Sequence, residues 1–338
     1  MNLKKELGKL LLPTIKIAIG SSAAICIAEA LHLEYASSAG IIALLTILTT
    51  KWETLWLSLY RLITFVLTVA LSWVLFVTIR TDWITYGIFI LLIVIICNLM
   101  NWKGTISVNA VIGAHFLTTG NFSPEFILNE LLLIVIGISL AIILNLYHNT
   151  RSRKQRIIEN MRYTEGQLQH ILHEIAQYLS NKDSHPSVWE DIGTLEHQLQ
   201  EFIGLAYEYQ GNTFQSHPQY YIDYFEMRLS QFHILHGLHY ELRKIREIPA
   251  QAHIISDYIL YLVPFVIEIN APSQQIEKLE GLFQDMKQQP LPVTREEFES
   301  RAILYHILMD LEEFLIAKKR FVEELDDVKL ETYWKGTL

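Results

Sequence analysis

The sequence predicts an all-α protein in two parts: a transmembrane domain of six helices, 1–150, and a cytoplasmic helical bundle, 151–338. Three observations carry this. Hydrophobic residues make up 51% of the 338 and charged ones only 19%, with a mean hydropathy of +0.24, too apolar for an ordinary soluble chain. Charge is unevenly placed: residues 1–150 hold eight Lys/Arg and seven Asp/Glu, which leaves 19 and 29 for residues 151–338. The first part breaks into apolar runs, whereas the second shows helical periodicity punctuated by polar and proline-containing breaks.

The apolar segments run from about 12 to 31, 37 to 50, 55 to 79, 84 to 100, 104 to 119 and 126 to 148. A span needs roughly 20 residues, so 37–50 and 104–119 are short and are expected to be tilted or shielded by neighbours. The start, MNLKKELGKLLLPTIKIAIGSSAAICIAEA, has the basic region and Ala-Glu-Ala triplet of a cleaved leader. Lys16 breaks its apolar run and further spans follow at once, so it is better taken as an uncleaved first helix. Gly20, Ala24 and Ala28 form a small-residue ladder for close packing, and Ala110 and Ala114 repeat the spacing.

Lys4, Lys5 and Lys9 precede span one, Lys51 lies between two and three, and Lys103 lies between four and five. Arg151, Arg153, Lys154 and Arg156 follow span six, while the opposite side has only Arg80, beside Asp82. This asymmetry predicts that both termini face the cytoplasm, with the domain multi-pass in the membrane. Trp52, Trp56, Trp83 and Trp102 fall near the expected interfaces.

In the second part, helical periodicity covers 151–180, 187–210, 218–247, 250–270, 273–288 and 294–325. The breaks are Asn181 to Ser184, Gly211-Asn212, Pro249, Pro272 and Pro290/Pro292. HIISDYILYLVPFVIEI, 253–269, is a core helix rather than a seventh span, because Asp257, Pro264 and Glu268 interrupt it. Tyr207/Tyr209 and Tyr220/Tyr221/Tyr224/Phe225 are either core or a face for a partner or aromatic ligand.

Several function classes drop out. The acidic second part offers no basic surface for nucleic acid. Cys26 and Cys97 each sit in an apolar stretch, which leaves no disulfide framework and makes both packing residues. No Gly-rich phosphate loop, Gly-x-Ser-x-Gly or His-Glu-x-x-His occurs, so neither an ATP-driven pump nor an enzyme is expected, and no catalytic residue or cofactor is assigned. His233, His236 and His239 at i, i+3 and i+6 fan over about 120° of a helix with no Cys or carboxylate at ligand spacing. His170 and His173 repeat the i, i+3 spacing, and no metal is assigned to either set.

Polar residues inside the membrane are the more telling set, since a charged one costs about 2.5–3.5 kcal/mol at a helix centre and turns inward. Span five is richest, with Asn109, His115, Ser107, Thr118 and Thr119. Glu29 lies toward the outer end of span one, Glu130 at the outer start of span six, and Asn145 near its inner end. His115 is either an interhelical hydrogen bonder or half of a proton-titrating pair with Glu29 or Glu130. Arg61, two turns into span three, either snorkels to lipid headgroups or draws a carboxylate to an inner vestibule.

YASSAGIIALLTILTTKWETLWLSLYRL (35–62), ISVNAVIGAHFLTTGNFSPEFILNELLLIVIGISLAIILNLY (106–147) and the plan of six spans plus a bundle resemble the aromatic acid exporter family, Gram-positive form. That family lies in the fusaric-acid-resistance-like superfamily. The resemblance implies a six-helix membrane unit, a C-terminal α domain and export of aromatic carboxylates or related organic anions by a secondary transporter. Relatives in the superfamily often carry twelve spans in one chain, which implies a homodimer here. Some six-span relatives in plants behave as anion channels, which keeps a channel at the dimer axis as an alternative. Under a third reading the spans only anchor the bundle, which acts as a sensor or docking module. Arg61, Asn109, His115 and Asn145 are the substrate-pathway candidates, and His115, Glu29 and Glu130 the proton-coupling candidates. The expected partners are the lipid bilayer, a small organic anion and a second copy of the chain.

Overall fold

The computed structural model describes residues 3–47, 49–79, 82–146, 150–181, 192–246 and 248–334. Among them all regular structure is helical, in two compact units: Met1–Asn149 with Gly211–Thr213, and Thr150–Gln210 with Phe214–Leu338.

The first unit places one helix on each apolar segment: α1 (Leu3–Ala30), α2 (Ser37–Ile47), α3 (Lys51–Thr78), α4 (Asp82–Leu99), α5 (Ile106–Thr119) and α6 (Pro124–Leu146). Local chemistry sets their ends. A capping box starts α3: Thr50 Oγ1 accepts from the Glu53 amide, and the Glu53 carboxylate accepts from the Thr50 amide at 3.0 Å. Gly120, at φ +61°, closes α5 in the left-handed conformation. Helix α2 packs against α1 and α6, and α3 against α4, α5 and α6. Small residues let these backbones approach. Ala24, Ala28, Ala39, Ala43 and Ala141 are fully buried, and a Cβ on Gly20 would meet side chains of Leu144 and Ile47 at 2.5 and 2.6 Å. On α5 the tight point is Gly113, against the Phe89 ring, rather than the half-buried Ala110 and Ala114.

The unit is inverted relative to a protein in water. On α3, Thr54, Ser58, Arg61, Thr64, Thr68 and Ser72 are buried, while Leu59, Leu62, Ile63, Val66, Trp73, Val74 and Val77 are exposed. Water would favour the opposite arrangement, whereas hydrocarbon outside and polar contacts within favour this one. Among the described residues, three helices are long and apolar enough to cross a membrane: Lys51–Thr78, Asp82–Leu99 and Pro124–Asn145. Helix α1 has 28 residues but carries Lys16. Helices α2 and α5 have 11 and 14 residues, about 16 and 21 Å of rise, so their length alone does not make up the expected count of six. Trp56, Tyr60 and Trp102 stack in a ladder with centroids 6.0 and 5.2 Å apart.

The second unit is a bundle of α7 (Thr150–Ser180), α8 (Ile192–Asn212), α9 (Gln219–Leu242), α10 (Ala250–Leu262), α11 (Ser273–Lys287), α12 (Arg295–Glu323) and α13 (Asp327–Tyr333). Apolar residues at i, i+3, i+4 and i+7 build its core, as in Leu168/Ile171/Leu172/Ile175 of α7 and Leu304/Ile307/Leu308/Leu311 of α12. Ile255, Tyr258, Ile259 and Leu262 bury α10 in the same core, so 253–269 belongs to the bundle. Tyr209, Tyr220, Tyr221, Tyr224 and Phe225 are core as well, and only Tyr207 of the aromatic set is exposed.

Two expected helices end early. Helix α9 stops at Leu242 rather than 247, seven residues before Pro249. Helix α10 gives way at Val263 to a 3₁₀ turn through Phe265, because Pro264 cannot donate a backbone hydrogen bond. The unforeseen α13 is capped by Asp326, whose carboxylate accepts from the Lys329 amide at 2.7 Å. Arg80, the end of span six at 147–148, and 182–191, which holds most of one expected break and the start of the next helix, lie outside the described residues.

Candidate functional site

The polar interior of the first unit falls into two clusters. Arg61 of α3 is 1% exposed and donates from Nη1 to Thr46 Oγ1 and to the Ile42 carbonyl, at 3.5 Å for the latter. Asn145 of α6 donates to the same α2 terminus: Nδ2 reaches the Thr46 and Thr49 carbonyls at 3.4 and 3.3 Å and Thr54 Oγ1 at 2.8 Å. Its Oδ1 accepts from Lys16 Nζ of α1 at 2.8 Å. Thr46 therefore joins two of the sequence candidates, Arg61 and Asn145. Lys51 is buried nearby in sequence.

The second cluster holds the only buried carboxylate of this unit among the described residues. Glu130 of α6 is fully buried, with Oε2 2.7 Å from His115 Nδ1 of α5. His115 Nε2 lies 3.1 Å from Ser38 Oγ on α2, and the Tyr35 ring stacks on the imidazole at 4.1 Å. Tyr35 has φ 57°, a left-handed conformation that a bulky residue holds only when its surroundings impose it. Glu130 Oε1 accepts from Asn129 Nδ2 at 3.3 Å, and Asn129 also exchanges two hydrogen bonds with the Glu34 backbone. A hydrogen-bonded chain thus runs from the exposed Glu34 turn to buried Ser38. With Nδ1–H donated to the carboxylate, Nε2 is free to accept from Ser38, and a second proton on the ring would reverse that bond.

The third feature is a row of donors without acceptors. Helix hydroxyls in apolar surroundings usually bond back to a carbonyl four residues earlier, as Ser58 and Thr64 do at 2.5 and 2.8 Å. Thr68 and Ser72, on the same buried face, do not, and neither Arg61 Nε nor Asn109 Nδ2 finds an acceptor among the described residues. From Arg61 to Ser72 the row covers about 16 Å of α3, and Asn109 stands on α5, which packs against α3.

Of the sequence candidates, Glu29 is exposed on α1 and is not in the His115 cluster, which Glu130 completes. Ser38, Tyr35, Thr46, Thr68 and Ser72 were not singled out, although the spacing of 54, 58, 61, 68 and 72 along one helical face was legible. His233 pairs with Glu196 at 3.1 Å, and His236 and His239 pack against Phe232 and Tyr240. Among the described residues no group of three or more His, Cys, Asp or Glu is placed to hold a metal ion.

An apolar-skinned helical unit with a polar interior, joined to a separate bundle with its own core, is the layout of a multi-helix membrane protein with an appended domain. Residues 9–148 match the family model described as "Aromatic acid exporter family member 1", and residues 154–319 match "Putative aromatic acid exporter C-terminal domain". The chain belongs to the aromatic acid exporter family. It is 32% identical over 308 residues to YqjA of Bacillus subtilis (strain 168), described as an uncharacterized protein, covering 91% of this chain and 95% of that one. A solved structure described as "putative membrane protein from Clostridium difficile 630" is 30% identical, covers 49% of this chain and 99% of its own, and gives a TM-score of 0.44.

Proposed function

We propose that the protein is a secondary transporter that exports organic anions, aromatic carboxylates foremost, through a six-span unit of the bacterial plasma membrane. In this reading both termini and the bundle are cytoplasmic, and two copies work together. The observation that carries it is the buried row on α3 and α5: the Arg61 Nε–H, the Asn109 Nδ2 amide and the Thr68 and Ser72 hydroxyls, which find no acceptor among the described residues. Unanswered donors in a low-dielectric interior are costly, and a passing carboxylate satisfies them. Arg61 adds a buried positive charge whose partners are a hydroxyl and a carbonyl.

The Ser38–His115–Glu130 chain supplies proton coupling. A proton taken up by the pair neutralises its single negative charge, turns Nε2 from acceptor to donor and so reorients the Ser38 bond, which ties α2 to α5 and α6. The test is flux of labelled benzoate in proteoliposomes under an imposed pH gradient, then under an imposed potential. Gradient-driven accumulation that Arg61→Met abolishes is expected, with Glu130→Gln leaving counterflow but removing the response to pH. Flux that only dissipates gradients would make the protein a channel, and no flux of any anion would remove the transport reading.

A further inference from the structure

Helix α2 reaches both polar clusters of the first unit, one with each end. Ser38, in its first turn, stands 3.1 Å from His115 Nε2, and Thr46, in its last turn, accepts from Arg61 Nη1 on its hydroxyl oxygen. Eight residues separate them, about 12 Å of helix rise. Thr46 is itself held: its Oγ1 donates to the Ile42 carbonyl at 2.6 Å, and its carbonyl accepts from Thr49 Oγ1 at 2.8 Å and from Asn145 Nδ2 at 3.4 Å. The place of the Thr46 hydroxyl therefore sets where the Arg61 fork points.

Between these ends α2 is smooth. Ala39, Gly40 and Ala43 are buried on it, and it packs against α1 and α6. A Cβ on Gly40 would meet the Ser21 carbonyl oxygen at 3.0 Å and the Ile25 side chain at 2.7 Å, so here the helices touch with almost no side chain between them. Small side chains interlock little, and such a contact resists separation more than a slide along the helix axis. Shear of packed helices passes small displacements in this way, and a helix of 11 residues moves as one body.

Few groups near His115 can answer to protons. Glu130 of α6 lies 2.7 Å from Nδ1, and the Tyr35 ring stacks on the imidazole from the turn before α2. Glu34 joins the cluster through its backbone alone among the described contacts. Helix α5 also packs against α3, which brings the buried Lys51 and Arg61, and against α4, which brings Tyr86 and Cys97. Tyr86 donates to the Ala110 carbonyl at 3.0 Å, and Cys97 lies 3.4 Å from Thr105 Oγ1. The neutral imidazole accepts the Ser38 hydrogen at Nε2; the imidazolium donates to the Ser38 oxygen instead, and its charge makes that bond the stronger of the two.

We infer that α2 couples the two clusters, with Thr46 as the positioning residue for Arg61. A proton on the His115–Glu130 pair pins α2 through Ser38 and keeps Arg61 tied to Thr46; loss of that proton lets α2 slide and frees Nη1 for an anion. Proton and anion then exclude one another, the relation by which an inward proton gradient drives an anion outward. The inference takes its use from the transport reading, whereas its test needs no transport.

That test is hydrogen-exchange mass spectrometry on the full chain in non-ionic detergent without any anion substrate. Peptides covering Ala43 to Ile47 are compared on either side of the imidazole range, at about pH 5 and about pH 9, corrected for intrinsic rates and referred to α4. The inner end of α2 is expected to exchange about fivefold more slowly in acid, in the wild type and in Thr46→Ser. Thr46→Val is expected to exchange fast at both pH values, and Ser38→Ala to lose the acid protection. An inner end indifferent to pH in the wild type overturns the coupling with no variant needed, as does acid protection that survives in Ser38→Ala. Wild-type behaviour of Thr46→Val overturns the positioning role. A pH-responsive inner end without benzoate flux leaves the coupling standing and removes the transport reading alone, whereas pH-driven flux with an indifferent inner end keeps transport and removes the part given to α2.

Discussion

Arg61 and Lys318 are buried basic residues with no carboxylate in contact among the described residues, yet only one of them was visible in the sequence. Arg61 interrupts an apolar run, so any reading that counts charges inside spans finds it; the same holds for His115, Glu130 and Asn145. Lys318 sits in REEFESRAILYHILMDLEEFLIAKKRFVE, where nothing separates a buried lysine from the exposed Lys319 beside it. Its burial carries a measurable consequence. Desolvation first, then the charge of Arg228, hold Lys318 well below the usual lysine value of 10.5, against the pull of Glu268 and Glu165. Between that lowered value and 10.5 the unfolded chain keeps a proton that the folded one has released, so stability of the bundle rises with pH across the window. Above the ordinary tyrosine range the sign turns. Burial pushes Tyr220, Tyr221, Tyr224 and Tyr258 up, and Tyr333 up to about 12, so the unfolded chain loses phenolic protons first and stability falls. Amide exchange of α9 and α12 should therefore slow as pH rises toward about 10, after correction for intrinsic rates, and quicken beyond it. Lys318→Met should flatten the rising limb alone and protect more at neutral pH, and an unchanged limb would contradict this account.

At the scale of elements, α1 to α12 were legible because each apolar or amphipathic stretch is bounded by Pro, Gly or polar residues, whereas the short α13 was not. The ends were less legible, since they depend on caps such as Thr50–Glu53 and Asp326 that resemble many other polar pairs. The contact between α2 and α6 was not legible at all, because it needs the partner helix to be known. There, a Cβ on Gly137 would meet the Ala39 carbonyl oxygen at 2.9 Å and Ile42 Cβ at 2.8 Å. Backbone cannot yield as a flexible side chain can, so Gly137→Val forces α2 away from α6 and disturbs Ser38, Thr46 and their partners together. A loss of about 1–3 kcal/mol is expected, read as a lower melting temperature in detergent and weaker benzoate flux. Gly87→Ala on α4, where an added Cβ meets nothing within 4 Å, is the control and should melt with the wild type. Equal melting of Gly137→Val and Gly87→Ala would mean that the close packing of α2 on α6 is not a determinant of stability.

For the whole molecule, helix dimensions and loop charges lead to different topologies. If only the three helices that meet the length criterion cross, α3 passes outward, α4 back and α6 outward again, which puts the loop before α6 in the cytoplasm and the bundle outside. If all six cross, that loop faces outward and the bundle inward, which agrees with Lys51 and Lys103 on one side and the run from Arg151 to Arg156 beside them. The polar interior favours six: α2 and α5 supply Ser38, Thr46 and His115 to contacts with α3 and α6, so neither lies apart from the spanning helices. A short helix enclosed by neighbours needs no hydrocarbon-matched length of its own. Single cysteines in a chain with Cys26 and Cys97 replaced by Ser separate the two cases. Asn121→Cys, in the loop before α6, should react with a membrane-impermeant maleimide in intact cells, and Glu323→Cys, exposed on α12, should react only after permeabilisation. The reverse pattern, with Glu323→Cys labelled from outside and Asn121→Cys protected, would establish three crossings and would put the bundle on the side of the membrane away from the anions that an exporter meets.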